Sequence, residues 1–295
     1  MNLKPAFQRY VTLFFKGFAV GGANIVPAIS GGTMALILGI YPRLIGSLVS
    51  LTRPDFLRLL IRFRIRKAQQ SIDTIFLLTL GLGIITAVLT LSRGLEWLLT
   101  NHHTLLFSFF FGLVLGSVVS MLRSATKWYW TQYTCFASAA LGAFFLFSLA
   151  PANTPTTPWF LFLCGGLSIC ALILPGISGA YVLVLLGKYN HLLVAINSGD
   201  LSVLGPVAAG SLIGLLSFVR LLSWLLKHYQ HTTHAVLTGL VMGSLRKLWP
   251  WNLTGNKLLD TTPTAPQLEQ ISVALILALI GFLTVLVLDH LSAKQ

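Results

Sequence analysis

The sequence predicts an all-α polytopic membrane protein built from two inverted units, each a re-entrant broken-helix hairpin followed by three transmembrane helices. Three observations predict this fold: the composition, the spacing of apolar segments and an internal repeat. The 295 residues are 55% hydrophobic and only 9% charged, with a mean hydropathy of +0.82. Soluble globular domains carry about 25% charged residues, so the chain is expected to have lipid as its solvent.

Apolar segments predict where the helices lie. Six of them approach the roughly 20 residues that a spanning helix needs. The first two and the sixth and seventh are interrupted by proline and glycine, and we expect each of these pairs to form a re-entrant hairpin. Such irregular backbone is tolerated at membrane depth only where it is buried in protein or lines a wet cavity. The ten segments lie at about 10–26, 31–51, 73–92, 104–121, 133–150, 158–174, 178–196, 203–222, 233–249 and 270–290.

An internal repeat relates the two halves of the chain. A shift of 148 residues places residues 23–45 on a second region with ten identities, which include the P-x-I-S-G motif. A shift of 127 aligns a later block and places Arg93 on Arg220. The two copies are predicted at 1–152 and 153–295, and the first copy contains an additional Arg-rich cytoplasmic arm at 52–72.

The orientation follows from the number of crossings and from the basic residues. Each copy has one hairpin and three spans, an odd number of crossings, so the second copy is expected to lie upside down. With the N-terminus in the cytoplasm, about fifteen Lys and Arg residues lie inside and about five outside, as positive-inside orientation requires. We therefore expect a multi-pass inner-membrane protein with both termini cytoplasmic.

The duplicated motif predicts an anion site. Inverted repeats with broken helices are typical of secondary transporters, in which half-helix N-termini meet near the membrane midplane. Pro27 would end one half-helix, Ser30 would cap the next, and the glycines would leave backbone amides open to a phosphate or carboxylate. The alternative is that proline and glycine only kink helices and allow close packing. The candidate binding residues are Asn24, Ser30, Gly31, Gly32, Thr33, Ser178, Gly179, Ala180 and Tyr181.

Arg93 and Arg220 are the basic residues that the repeat pairs, and inversion would place one toward each face of the membrane. Each could snorkel to the interface, or each could recruit an anionic headgroup on its own side. Both remain candidates for phosphate binding. Glu96, one turn beyond Arg93, is expected to be its local ion-pair partner.

Several other functions are not supported by the sequence. There is no Walker A sequence and no HExxH, and the seven acidic residues form no cluster, so we expect no catalytic residues. The three cysteines and scattered histidines suggest no disulfide framework, metal site or other cofactor. The formal charge of +13 is explained by topology rather than by nucleic-acid binding.

Two strings of the sequence carry a family resemblance that covers essentially the whole chain. They resemble a bacterial and archaeal membrane family, formerly a domain of unknown function, whose members are described as polyprenyl-phosphate transporters. The resemblance implies the return of undecaprenyl phosphate, a C55 lipid carrier of peptidoglycan synthesis, from the outer to the cytoplasmic leaflet. Ala28 stands where the family usually has glycine, whereas the second copy has Gly176. The strings are Gly-Gly-Ala-Asn-Ile-Val-Pro-Ala-Ile-Ser-Gly-Gly-Thr-Met-Ala-Leu-Ile-Leu-Gly-Ile-Tyr at 21–41 and Leu-Pro-Gly-Ile-Ser-Gly at 174–179.

Three alternatives to lipid transport remain open. A small-anion secondary transporter would use the same site in an enclosed cavity. An intramembrane polyprenyl-pyrophosphate phosphatase would need carboxylates or a nucleophile beside the site, and none lies near Ser30 or Ser178 in the sequence. An assembly scaffold would leave the duplicated motif unexplained. The expected partners are the lipid bilayer, a polyprenyl phosphate, and protons or another coupling ion, and a homodimer is compatible with this interpretation.

Overall fold

The computed structural model describes residues 3–25, 30–52, 56, 72–124, 128–149, 151–251 and 268–292, and in these all regular structure is α-helical. The predicted all-α class is therefore confirmed. A helix bonds its backbone N–H and C=O groups to one another within one segment, as lipid requires. The helices are α1 (Leu3–Ile25), α2 (Gly31–Ile37), α3 (Tyr41–Leu51), α4 (Thr74–Asn101), α5 (His103–Ser124), α6 (Trp130–Leu146), α7 (Pro158–Ile173), α8 (Gly179–Leu185), α9 (Tyr189–Ser198), α10 (Leu201–His228), α11 (Gln230–Ser244) and α12 (Leu268–Ser292).

The long helices make the chain a multi-pass membrane protein. Within the described ranges, four helices are long and apolar enough to cross a bilayer, namely α4, α5, α10 and α12, and a bent pair of helices raises this number to five. The segments at 133–150 and 233–249 were expected to approach spanning length, but α6 and α11 have only 17 and 15 residues. α11 ends early because residues 245–248 form tighter i to i−3 turns.

The second and seventh apolar segments each form two helices, where one half-helix was expected. We call α2 with α3 the first broken segment and α8 with α9 the second broken segment. They break at Gly39 (φ 68°) and Gly187 (φ 65°), in the left-handed region that glycine enters without steric cost. The helices of the second broken segment meet at 109°. The preceding helix α1 has 23 residues, which is longer than the expected half-helix.

Four helix pairs make the most extensive contacts in the fold. α1 packs on α4 and α7 packs on α10, while α5 packs on α12 and α6 packs on α11. Gly83 lets α4 approach α1, since a Cβ there would collide with the carbonyl oxygen of Phe14. Gly210 lets α10 approach α7 in the same way, against the carbonyl oxygen of Phe162. Small residues at membrane helix contacts allow this close approach.

The main core lies where the first broken segment packs among helices of both halves. Tyr41, Phe76, Val219 and Leu237 come from α3, α4, α10 and α11, and each is at most 2% exposed. The first broken segment is therefore held inside the protein rather than at its surface.

Two predicted features lie outside the described residues. One is the end of a half-helix at Pro27, together with Ala28 and Ile29 of the first motif. The other is most of the Arg-rich arm, residues 53–55 and 57–71.

Candidate functional site

Ser30 begins α2 as its N-cap residue. Its backbone is extended (φ −97°, ψ 130°), and its hydroxyl oxygen accepts a hydrogen bond from the Gly32 N–H at 3.2 Å. This is the usual geometry of a serine N-cap, and it confirms the predicted cap. The same hydroxyl donates to the carbonyl oxygen of Leu174 at 3.1 Å. Ser30 therefore starts a helix in one half and bonds to the motif of the other half.

The first backbone amides of α2 already have partners in the protein. The Gly31 N–H donates to Oδ1 of Asn24 at 2.8 Å, and the Gly32 N–H donates to Ser30. Both glycines are buried. We expected these amides to be open to an anion, but the structure differs because the Asn24 side chain at the end of α1 reaches back to α2. Asn24 is thus at the predicted site, where it binds the protein's own backbone.

The two motifs are in direct contact. Besides the bond from Ser30, the Gly176 N–H donates to Oγ1 of Thr33 at 2.7 Å, and the Tyr41 hydroxyl donates to the carbonyl oxygen of Ile173 at 3.1 Å. Thr33 and Tyr41 are 3% and 2% exposed. Buried polar groups need such partners, so these bonds close the space between the motifs instead of leaving an open cradle.

The second motif is built in a similar way but with fewer bonds. Ser178 is the N-cap of α8 with φ −97° and ψ 131°, yet its side chain makes no capping hydrogen bond. Gly179 packs against α7, where its carbonyl oxygen accepts from the Ser168 hydroxyl at 3.0 Å. Ala180 is exposed. Tyr181 is buried, and its hydroxyl donates to the carbonyl oxygen of Leu146 at 3.3 Å.

Two cations beside the second motif, one buried and one half-buried, are missed by the sequence analysis, which counts them only as charges outside the membrane. The Lys247 ammonium lies 3.9 Å from the ring centre of Tyr181 and is 8% exposed. The Arg246 guanidinium lies 4.3 Å from the ring centre of Phe144. Ionisable residues at membrane depth are costly and usually functional, and the adjacent Arg-Lys pair close to an apolar segment was the available signal.

The structure does not bring the paired arginines to the meeting point of the motifs. The Arg220 guanidinium donates to Thr52 at the end of α3, both to its hydroxyl at 3.0 Å and to its carbonyl oxygen. Arg93 is exposed on α4. The expected ion pair between Arg93 and Glu96 is absent from the described part of the chain, where the ion pair observed joins Arg43 to Asp73.

The opposite end of the fold carries a carboxylate at the start of α10. The Asp200 side chain accepts hydrogen bonds from the backbone N–H of Ser202 at 2.9 Å and from its hydroxyl at 2.6 Å. These bonds hold the pKa of the Asp200 carboxyl below its usual value. No group of three or more metal-ligating side chains occurs among the described residues.

An apolar groove of about 590 Å³ runs beside the second broken segment. It is lined by Leu146 of α6, Leu167 of α7, Val182 of α8 and Ile177 of the loop between α7 and α8, among others. Leu167 is 54% exposed, so the groove opens on the surface of the helix bundle. Ile177 and Val182 also pack in the cluster that contains Tyr181. The groove therefore adjoins the second motif and can hold an apolar chain.

Comparisons with known proteins agree with these features. The family model described as undecaprenyl phosphate translocase-like matches residues 20–265. A protein of Vibrio cholerae named polyprenyl-phosphate transporter is 39% identical over 247 residues, which cover 84% of this chain and 80% of the relative. A protein of Staphylococcus aureus with the same name is 29% identical over 300 residues, covering 95% and 96%. No solved structure matches the chain significantly. The match across most of the sequence shows that the chain belongs to the undecaprenyl phosphate translocase-like family.

Proposed function

We propose that the chain transports polyprenyl phosphate, moving undecaprenyl phosphate from the outer to the cytoplasmic leaflet of the bacterial inner membrane. This step would recycle the lipid carrier for peptidoglycan and other envelope polymers. The single observation that carries the proposal is the direct contact between the two motifs, because a transporter of this class needs a ligand site where two halves meet. Both relatives carry transporter names, which favours a transporter over an enzyme.

We propose that the halves 1–152 and 153–295 are inverted repeats. Three observations support this proposal. The helices described in each half, six in number, follow in the same order of broken and long elements. The caps Ser30 and Ser178 have nearly identical backbone angles. The packing of α1 on α4 matches that of α7 on α10, and exchanging the halves turns the α5 and α12 pair into the α11 and α6 pair.

The excess of basic residues on one side supports cytoplasmic termini.

The proposed phosphate site is the meeting point of the motifs. There Ser30 and Thr33 hold Leu174 and Gly176 of the other half. A phosphate oxygen accepts hydrogen bonds. When the halves separate, a headgroup could replace the Leu174 carbonyl oxygen as the acceptor for Ser30, and Oγ1 of Thr33 as the acceptor for the Gly176 N–H. The binding residues in this proposal are Asn24, Ser30, Gly31, Gly32 and Thr33 of the first half and Ser178, Gly179, Ala180 and Tyr181 of the second.

The two paired arginines would close opposite ends of the site, each in a different conformational state. Arg220 holds Thr52 and so fastens the end of α3 to α10. The two shifts of the repeat place Arg93 on Arg220 and Asp200 on Thr52, and Arg93 makes no such bond in the described residues. We therefore propose that Arg93 binds the Asp200 end of α9 in the opposite state, when Arg220 releases Thr52. Each arginine could meet the headgroup while its end is open.

The open groove beside the second motif supports a lipid rather than a small soluble anion as the substrate. A small-anion carrier needs a cavity that closes around its ligand. Leu149 and Leu167 line the groove and are 57% and 54% exposed, so a long prenyl chain could enter sideways from the bilayer and stay partly in lipid.

The experiment is reconstitution of the purified chain in liposomes with labelled polyprenyl phosphate. We expect the protein to move the label between leaflets, and a proton gradient to change the rate if protons are the coupling ion. Labelled phosphatidic acid serves as a control for general lipid scrambling. Equal movement of both lipids would reject a specific transporter. Release of inorganic phosphate from a polyprenyl pyrophosphate would favour the phosphatase instead.

A further inference from the structure

A second cavity, of about 380 Å³, lies beside the first broken segment and contains titratable side chains. It is bounded by residues of α2, α3, α5, α11 and α12, and it carries His231, His234 and Asp289 on its walls. Its volume falls within the range of about 300–1,000 Å³ that ligand cavities have. None of these three residues was a candidate in the sequence, where the histidines were considered only as metal ligands.

The cavity has a polar rim and an apolar wall. Gln230, His231 and Asp289 are exposed, while His234 is half-buried on the same face of α11. The side chains of α2 that line it are apolar, and Val285 on α12 is 2% exposed. A cavity of this kind matches a ligand with one charged end and an apolar body.

The hydrogen-bond donors of the cavity suit an oxyanion. The hydroxyls of Ser117 and Thr238 donate hydrogen bonds to backbone carbonyl oxygens of their own helices, at 2.6 and 2.7 Å. The side chains that remain able to donate toward a ligand include the imidazoles of His231 and His234 and the Gln230 amide. Each imidazole carries at least one N–H donor and the amide carries two, and a phosphate oxygen accepts hydrogen bonds from both kinds of group.

The charged surroundings also favour an anion. Among the described residues of the helices packed on α11, the last turn of α5 contains Arg123 and the last turn of α10 contains Lys227, while α6 brings Tyr133 near its start. α12 supplies Asp289, and α3 supplies Tyr41 to the cavity. Basic groups thus outnumber the single carboxylate, and their summed field attracts negative ligands.

We propose that this cavity binds a phosphate monoester headgroup on the cytoplasmic side of the protein, with His231 and His234 as its donors. The proposal rests on the proposed function and adds a second binding site for the same substrate. Tyr41 lines the cavity, and its hydroxyl donates to the carbonyl oxygen of Ile173, at the contact between the two motifs. Tyr41 therefore links the cavity to that contact, and the first isoprenoid units of a bound headgroup would lie against α2.

The test is the binding of farnesyl phosphate and of inorganic phosphate to the purified full chain, measured by calorimetry in detergent. A monoester carries a charge of about −1.5 to −2 at pH 7, so losing two charge-assisted bonds should be costly. We expect the H231Q/H234Q variant to bind farnesyl phosphate at least about tenfold more weakly. D289N should bind equally or more tightly, because it removes the negative charge.

H228Q is the matched control. His228 is at the end of α10, where its ring stacks on Trp224 at 5.1 Å, and it does not line the cavity. Its binding should equal that of the wild type.

The outcomes separate this inference from the function on which it rests. Unchanged binding in the double variant, together with normal lipid transport by the wild type, overturns the inference alone. Weaker binding in D289N also overturns it, because loss of a negative charge beside an anion site should not weaken the binding of a phosphate. Inorganic phosphate bound as tightly as farnesyl phosphate supports an oxyanion site but assigns it to free phosphate. A wild type that neither binds nor moves a polyprenyl phosphate refutes the proposed function.

Discussion

Replacing Ser30 with alanine tests the contact between the two motifs. The change removes the cap bond to the Gly32 amide and the bond to the Leu174 carbonyl oxygen, at a side chain that is 3% exposed. Loss of a serine cap costs about 0.5–2 kcal/mol, and a buried group left without its partner costs about 1–3 kcal/mol. Ser30→Ala should therefore lower the free energy of unfolding by about 1.5–5 kcal/mol.

Ser178→Ala is the internal control. Ser178 occupies the equivalent cap with the same backbone angles, but its side chain makes no capping bond. Its replacement should change the free energy of unfolding by less than about 1 kcal/mol. Denaturant unfolding of both purified variants in the same detergent provides the comparison. Equal losses in the two variants would refute the assignment of the extra stability to the bonds of Ser30.

Two further predictions concern the second motif and the arginine contact. Gly176 has φ 88°, and a Cβ there would lie 2.7 Å from the Leu240 carbonyl oxygen, so Gly176→Ala should destabilise the protein by about 1–3 kcal/mol. Gly205→Ala is its control because nothing lies within 4 Å of that Cβ, and a similar loss of thermal stability in both would contradict the steric argument. Arg220→Gln should loosen the end of α3 by removing its bonds to Thr52, and if these are worth about 1.4 kcal/mol, amide exchange in residues 47–52 should rise about tenfold. Unchanged exchange measured by mass spectrometry would show that the arginine does not hold this end.

The broad class and part of the local structure could be predicted from the sequence. Composition identifies lipid as the solvent because so few charged residues remain to face water. The serine of the motif was correctly predicted to cap α2, since a cap depends on residues next to one another in the chain. The two helix breaks also have a local signal, which is the repeated Leu-Gly-x-Tyr around Gly39 and Gly187. The site residues themselves stay a prediction.

The tertiary structure alone decided which groups meet. The Asn24 side chain accepts a hydrogen bond from the Gly31 N–H because the end of α1 lies close to the start of α2. Hydropathy carries no information about how these two helices are placed. The cavity joins His231 and Asp289 from helices that are far apart in sequence, and Arg220 reaches Thr52 only because α3 packs on α10. The sequence by itself determines that lipid surrounds the protein, where some helices begin and end, and which motifs repeat. These features depend on composition and on residues that are neighbours in the chain. The packing of helices against one another determines which hydrogen-bond donors are used internally and which are left to bind a ligand.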